Sequence, residues 1–157
     1  MIPKPFFDAT TKNYCIEHGA SRRTVARSTR ADERWLGSFK LPPFQRPSVW
    51  TRTQQVRFIE SIWLRLPIAA YVVNVDDQDQ LDYPCDDWLL DGQQRWTAII
   101  KYIDGRLKVF GLVYGELTQA QKRKFLNHPF PAIETRNLTR EQCEDVYSRL
   151  AYGGTPH

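Results

Sequence analysis

The sequence predicts an α+β domain in which a small mixed sheet is packed with helices. Three observations lead there. A run rich in β-branched and aromatic residues, 69–75, reads as a strand, and the short apolar run 88–91 as a second. Longer stretches repeat apolar residues at three- and four-residue steps, the spacing of a buried helix face. With 157 residues, 41% of them apolar, the chain suits one main core and leaves little room for a second. The reading divides it into a basic N-terminal extension, 1–37, and one domain, 38–157.

The elements follow in order. The stretch to about Arg34 is polar and weakly patterned, and Arg22, Arg23, Arg27, Arg30 and Arg34 crowd it. It suits a short basic helix or an arm that orders on a partner. Phe39 to Phe44 reads as extended chain entering a turn, because Pro42 and Pro43 bias their predecessors away from helix. A helix follows, capped by Thr51 or Thr53, with Val56, Ile59, Ile62, Trp63 and Leu66 on one face and Pro67 as its stop. Residues 69–75 form a strand. The acidic stretch with Asp76, Asp77, Asp79, Asp82, Asp86 and Asp87 is a loop that returns the chain in a hairpin. Trp88 to Asp91 is the second strand, which Gly92 breaks.

Gln93 to Ile103 then reads as a helix with Trp96, Ile99, Ile100 and Ile103 buried. Leu107 to Tyr114 suggests two short strands around Gly111. Thr118 and Gln121 have capping-box spacing and open a basic helix with Lys122, Arg123 and Lys124. Phe130 to Thr135 reads as a strand, and Pro131 points to an edge position. Thr139 and Gln142 repeat the capping signal and open the last helix, through Val146, Tyr147 and Leu150.

Composition excludes several function classes. No apolar run is long enough to span a bilayer and the N-terminus lacks a signal-peptide core, so a cytoplasmic protein is expected. Cys15, Cys85 and Cys143 lie too far apart for a disulfide framework or a zinc-ligand spacing. His18, His128 and His157 are equally scattered, and no metal cage is expected. A net charge of +4 is compatible with nucleic acid or nucleotide without requiring either.

The residues able to carry chemistry centre on Asp91-Gly92-Gln93-Gln94-Arg95, between a strand and a helix. A helix start exposes unpaired N–H groups and the positive end of the dipole, so anions bind there. Gly92 lets a ligand approach the backbone. Arg95 can grip phosphate oxygens, Gln93 and Gln94 can donate or orient hydrogen bonds, and Asp91 can hold Mg²⁺ or polarise a water. A plain solvated turn accounts for the same residues. Gln45-Arg46-Pro47 with Trp50 puts a second guanidinium in a proline-bounded turn, and Arg149 precedes Gly153-Gly154-Thr155.

Taken in order, Phe44 to Trp50, Glu60-Ser61-Ile62, Leu66-Pro67-Ile68, Asp91 to Arg95 and Arg149 to Pro156 resemble the DUF262 family. That family is similar in fold to ParB and sulfiredoxin proteins and includes the N-terminal domains of GmrSD-type and SspE-type restriction factors. The resemblance implies a stand-alone ParB-like domain. It implies binding and hydrolysis of a nucleoside triphosphate at Asp91, Gln93, Gln94 and Arg95, with which the Mg²⁺ that Asp91 can hold would arrive. Gln45, Arg46, Gly92, Arg149, Gly153 and Gly154 would join the phosphate-binding set. It also implies a role in phage–bacterial conflict. Two departures are visible. Leu150 and Ala151 follow Arg149 where the family carries an asparagine two residues on, and no HNH arrangement is present, so HNH cleavage is not expected. Gln94 stands where sulfiredoxin chemistry would need a cysteine.

Three functions are carried forward. The first is a nucleotide-binding domain, with slow NTP hydrolysis as its extension, in which Arg95, Arg46 and the helix-start amides stabilise phosphate charge. The second is a non-catalytic DNA-binding module using Arg22, Arg23, Arg27, Arg30 and the basic helix, with a protein partner also open. The third is DNA nicking, which ranks lowest because Glu60, Asp91 and Asp104 are scattered single acids.

Overall fold

The computed structural model describes residues 1–5, 8–21, 34–47, 49–76 and 85–152. Outside them lie Arg22, Arg23, Arg27 and Arg30, the Gly153-Gly154 turn and most of the acidic loop. The described residues form six strands in one mixed sheet. These are β1 (Thr10–Lys12), β2 (Arg34–Leu36), β3 (Phe39–Leu41), β4 (Tyr71–Val75), β5 (Trp88–Asp91) and β6 (Ala132–Arg136). Their order across the sheet is β1-β6-β4-β5-β3-β2. The helices are α1 (Ile16–Ala20), α2 (Arg52–Trp63), α3 (Gln93–Ile103), α4 (Gln119–Leu126) and α5 (Arg140–Tyr152). This is the expected α+β fold with one mixed sheet.

The centre of the sheet explains why β4 and β5 read as runs of apolar residues. They pair antiparallel, Val73 opposite Leu89, and side chains leave the two faces alternately. Tyr71, Val73 and Leu89 enter the larger core with Ile59 and Ile62 of α2 and Trp96 and Ile99 of α3. Val72, Trp88 and Leu90 enter a second core with Leu138, Cys143 and Val146 along α5. Both faces are covered, so both registers must be apolar. Each fully buried Ile or Leu contributes about 1.5–3 kcal/mol relative to exposure. In the smaller core the Cys85 and Cys143 thiols are hydrogen-bonded, which lowers the pKa of Cys85 and raises that of Cys143.

Local signals set the helix boundaries. Thr51 and Gln54 form a reciprocal capping box at α2, as Thr118 and Gln121 do at α4. The same exchange joins Thr139 and Gln142 at α5. α2 ends before Pro67: Leu64 is its C-cap, and Arg65 takes a left-handed φ of 63°.

Three expectations change. β6 lies inside the sheet, parallel to β4 and antiparallel to β1, where an edge strand was expected. Pro131 precedes the strand, so its missing N–H interrupts no ladder bond, and its carbonyl accepts from the Tyr71 N–H at 3.1 Å. Residues 107–114 form one bridged turn, Val109 opposite Leu112, followed by a 3-10 turn at Tyr114–Glu116, in place of two strands. Finally, residues 10–20 of the N-terminal stretch join the domain. β1 pairs with β6, and Ile16 is fully buried in the larger core.

Candidate functional site

β5 delivers Asp91 to the rim of the sheet, and the chain must turn at once to start α3. Gly92 makes that turn with φ 108° and ψ 10°, a backbone conformation unfavourable for any residue with a Cβ. A Cβ there would also lie 2.7 Å from the Tyr71 Cβ. No side chain caps α3. Its first turn therefore presents backbone amides and the positive end of the dipole without the cap that α2, α4 and α5 all carry.

The two glutamines that follow bolt a second turn onto this helix start. Gln93 is 8% exposed, and its Oε1 accepts from the Gln45 Nε2 at 2.6 Å. The Gln94 Oε1 accepts from two consecutive backbone amides, Val49 at 3.1 Å and Trp50 at 3.0 Å. Gln45 keeps a buried Oε1 with no hydrogen-bond partner among the described residues. The far end of the same turn is tied to α5. The Arg46 N–H donates to the Tyr147 hydroxyl at 3.2 Å, and the Phe44 ring packs between Trp88 at 5.5 Å and Tyr147 at 5.2 Å. The Arg46 residue itself is exposed.

Arg95 turns the other way. Its guanidinium donates to the carbonyls of Ala69 and Ala70 and lies 3.5 Å from the Asp91 carboxylate and 5.5 Å over the Phe130 ring. Burial lowers its pKa and Asp91 raises it again. Its side chain is 16% exposed, against 48% for Asp91. The pair thus braces the β5–α3 turn against the chain entering β4. Arg149, on α5, is exposed and donates from Nε to Asp145 at 3.0 Å.

The structure therefore brings Gln45, Gln93 and Gln94 into direct contact with one another or the 45–50 backbone, and sets Asp91 and Arg95 together behind Gly92. Sequence reasoning missed the backbone partners: the Val49 and Trp50 amides and the Ala69 and Ala70 carbonyls carry no side-chain signature. Tyr147 was read only as part of the last helix, and its hydroxyl anchors Arg46. Among the described residues no group of three or more His, Cys, Asp or Glu could hold a metal ion. None of their helices is long and apolar enough to cross a membrane. A surface cavity lined by Tyr14, His18, Asn127 and Pro131 includes none of the motif residues.

Fold and site together define a mixed α+β domain whose strand-to-helix glycine turn is locked to a second loop. Residues 28–153 match the family described as the GmrSD restriction endonuclease, N-terminal domain, and the chain belongs to that family. This is the DUF262 N-terminal domain, and it ties the chain to restriction-related, phage-defence function. No curated protein and no solved structure matches the chain significantly.

Proposed function

We propose that this domain binds a nucleoside triphosphate at the start of α3, in a restriction-related, DNA-directed defence or counter-defence system. The observation that carries the reading is the uncapped helix start after Gly92, held against the 45–50 turn by Gln93 and Gln94. Three other helices have a threonine hydroxyl on their first-turn amides; at α3 no side chain takes those amides, which leaves them to an anion. Arg46, on the exposed turn, is the cation with which to neutralise it. The unpaired Oε1 of Gln45 suits a donor, which phosphate lacks and a ribose hydroxyl or base amine supplies.

In this reading Arg95 and Asp91 act mainly through each other. Arg95 holds the turn, and half-exposed Asp91 is the one motif carboxylate available to a Mg²⁺ that arrives on the triphosphate. Magnesium is held in this way, by one or two carboxylates with substrate phosphates, and needs no protein cage. Bound there, it would neutralise the charge developing during phosphoryl transfer. The Gln94 Oε1 is taken by the loop amides, and Ala151 lacks a side-chain amide, so neither supplies the acceptor that would orient water. Binding with slow turnover is the expected outcome.

Thermal shift with each nucleoside triphosphate and Mg²⁺ tests this, using wild type and Arg46→Ala. One charge-assisted contact is worth about 1.5–3 kcal/mol, so Arg46→Ala should weaken binding about tenfold or more. A chain that no triphosphate stabilises, or an Arg46→Ala variant of equal affinity, refutes the site.

A further inference from the structure

The turn at 109–112 has no part in that site, and its geometry is at odds with its sequence. Val109 and Leu112 exchange both backbone hydrogen bonds, at 2.9 and 3.1 Å, around a two-residue loop. Phe110 and Gly111 occupy it with φ 52° and 79°. Two positive φ values define the primed hairpin turn that favours asparagine or aspartate followed by glycine. Phenylalanine is strained there, and it is 61% exposed, so packing does not compensate.

The segment leading to it alternates. Leu107 and Val109 are buried, while Arg106, Lys108 and Phe110 are exposed, so two cations and an aromatic ring reach solvent within five residues. Residues 101–124 hold six basic side chains against two acidic ones, an excess equal to the net charge of +4 of the whole chain. One of the two acids, Asp104, lies 3.5 Å from Arg106, and Lys122 sits 5.6 Å over the Tyr114 ring just past the turn.

We infer that this turn is a contact site for single-stranded nucleic acid, with Phe110 stacking on an unpaired base while Arg106 and Lys108 meet the flanking phosphates. Charge selects a polyanion, and the exposed ring selects one with accessible π-faces. In a duplex the base faces are already stacked, and unstacking a step costs free energy that an unpaired base does not require, which favours the single strand over the duplex. The site is separate from the nucleotide site and stands or falls independently of it.

Fluorescence anisotropy with a labelled oligothymidine of about 12 nucleotides, alone and annealed into duplex, is the test. Wild type should bind the single strand at low salt and the duplex more weakly. Phe110→Asn suits the turn better, so its melting temperature should match or exceed wild type while affinity falls about tenfold. Phe110→Trp should restore affinity. Lys108→Gln should reduce the slope of log affinity against log salt by about 0.7. Absence of low-salt binding, preference for the duplex, or a Phe110→Asn variant that binds like wild type would each overturn the inference.

Discussion

Gln94 is the residue at which architecture and chemistry can be separated. Its Oε1 takes two backbone amides from the 45–50 turn, so Gln94→Ala should release that turn from α3. Two hydrogen bonds at about 0.5–1.5 kcal/mol each set an upper bound near 3 kcal/mol. Val49 is exposed and Trp50 only partly buried, so water replaces part of the loss and about 1–2 kcal/mol is expected. For a domain of this size that lowers the melting temperature by roughly 2–8 °C. Gln94→Glu keeps an acceptor for both amides and adds a negative charge near the positive end of α3, so stability should change by less than about 0.5 kcal/mol. The same charge lies where the phosphates are proposed to sit. At about 5 Å and an effective dielectric near 20 the repulsion is about 3 kcal/mol before salt screening, enough for at least a tenfold loss of affinity. Thermal melts and nucleotide titrations of both variants decide the matter. An unchanged melt for Gln94→Ala would show that the lock carries no weight. A Gln94→Glu protein that melts and binds like wild type would remove the nucleotide from this helix start.

Two further predictions concern the frame around the site. Gly92→Ala puts a Cβ 2.7 Å from that of Tyr71 at a φ of 108°, and overpacking and backbone strain together should cost about 2–5 kcal/mol, read as a lower urea midpoint. A midpoint shift equivalent to less than about 1 kcal/mol would contradict that geometry. His128 bridges the end of α2 to the chain before β6: its Nδ1 lies 3.3 Å from Arg65 Nη1 and its Nε2 3.2 Å from the Leu66 carbonyl. Accepting at one nitrogen and donating from the other requires the neutral ring, and burial first, then Arg65, lowers its pKa from 6.5. The unfolded chain therefore binds this proton more readily. Stability should be full above about pH 6.5 and fall as pH drops below it, levelling off only below the lower folded pKa. The difference in melting temperature between pH 7.5 and 5.5 should shrink in His128→Asn; an unchanged difference would assign the acid sensitivity to other groups.

How much of this was legible depended on whether the signal was local. The β5–α3 boundary was, because Asp91-Gly92 breaks a strand that a helical period follows immediately, and the structure ends β5 and begins α3 at those residues. The capping boxes of α4 and α5 were legible for the same reason, whereas at α2 the sequence left Thr51 and Thr53 both open and the structure caps with Thr51. The place of β6 was not: Pro131 signals an edge only if it lies within the strand, and it lies one residue before it. Residues 107–114 alternate like a strand, but their pairing is a single bridge, and short local alternation cannot tell a tight turn from a ladder. The role of Arg95 was hidden differently. An arginine at a helix start predicts an anion, and here its neighbours are two carbonyls, a carboxylate and an aromatic face.

Those neighbours give the motif a division of labour that its letters alone do not suggest. Asp91 and Arg95, four residues apart, span one helical turn and face each other behind Gly92. Gln93 and Gln94 lie between them in sequence and reach instead toward the 45–50 turn. The outer pair thus sets the angle at which α3 leaves β5, and the inner pair carries the loop that bears Arg46. In such an arrangement a substitution in either pair moves the same backbone amides, because the turn at Gly92 has no slack against Tyr71. Loss of binding in an Arg95 variant would therefore not identify Arg95 as a phosphate ligand. Arg46 is exposed and lies outside the Asp91–Arg95 motif, and its backbone N–H is held by Tyr147, so it is the position at which a contact with phosphate is best measured apart from the β5–α3 turn.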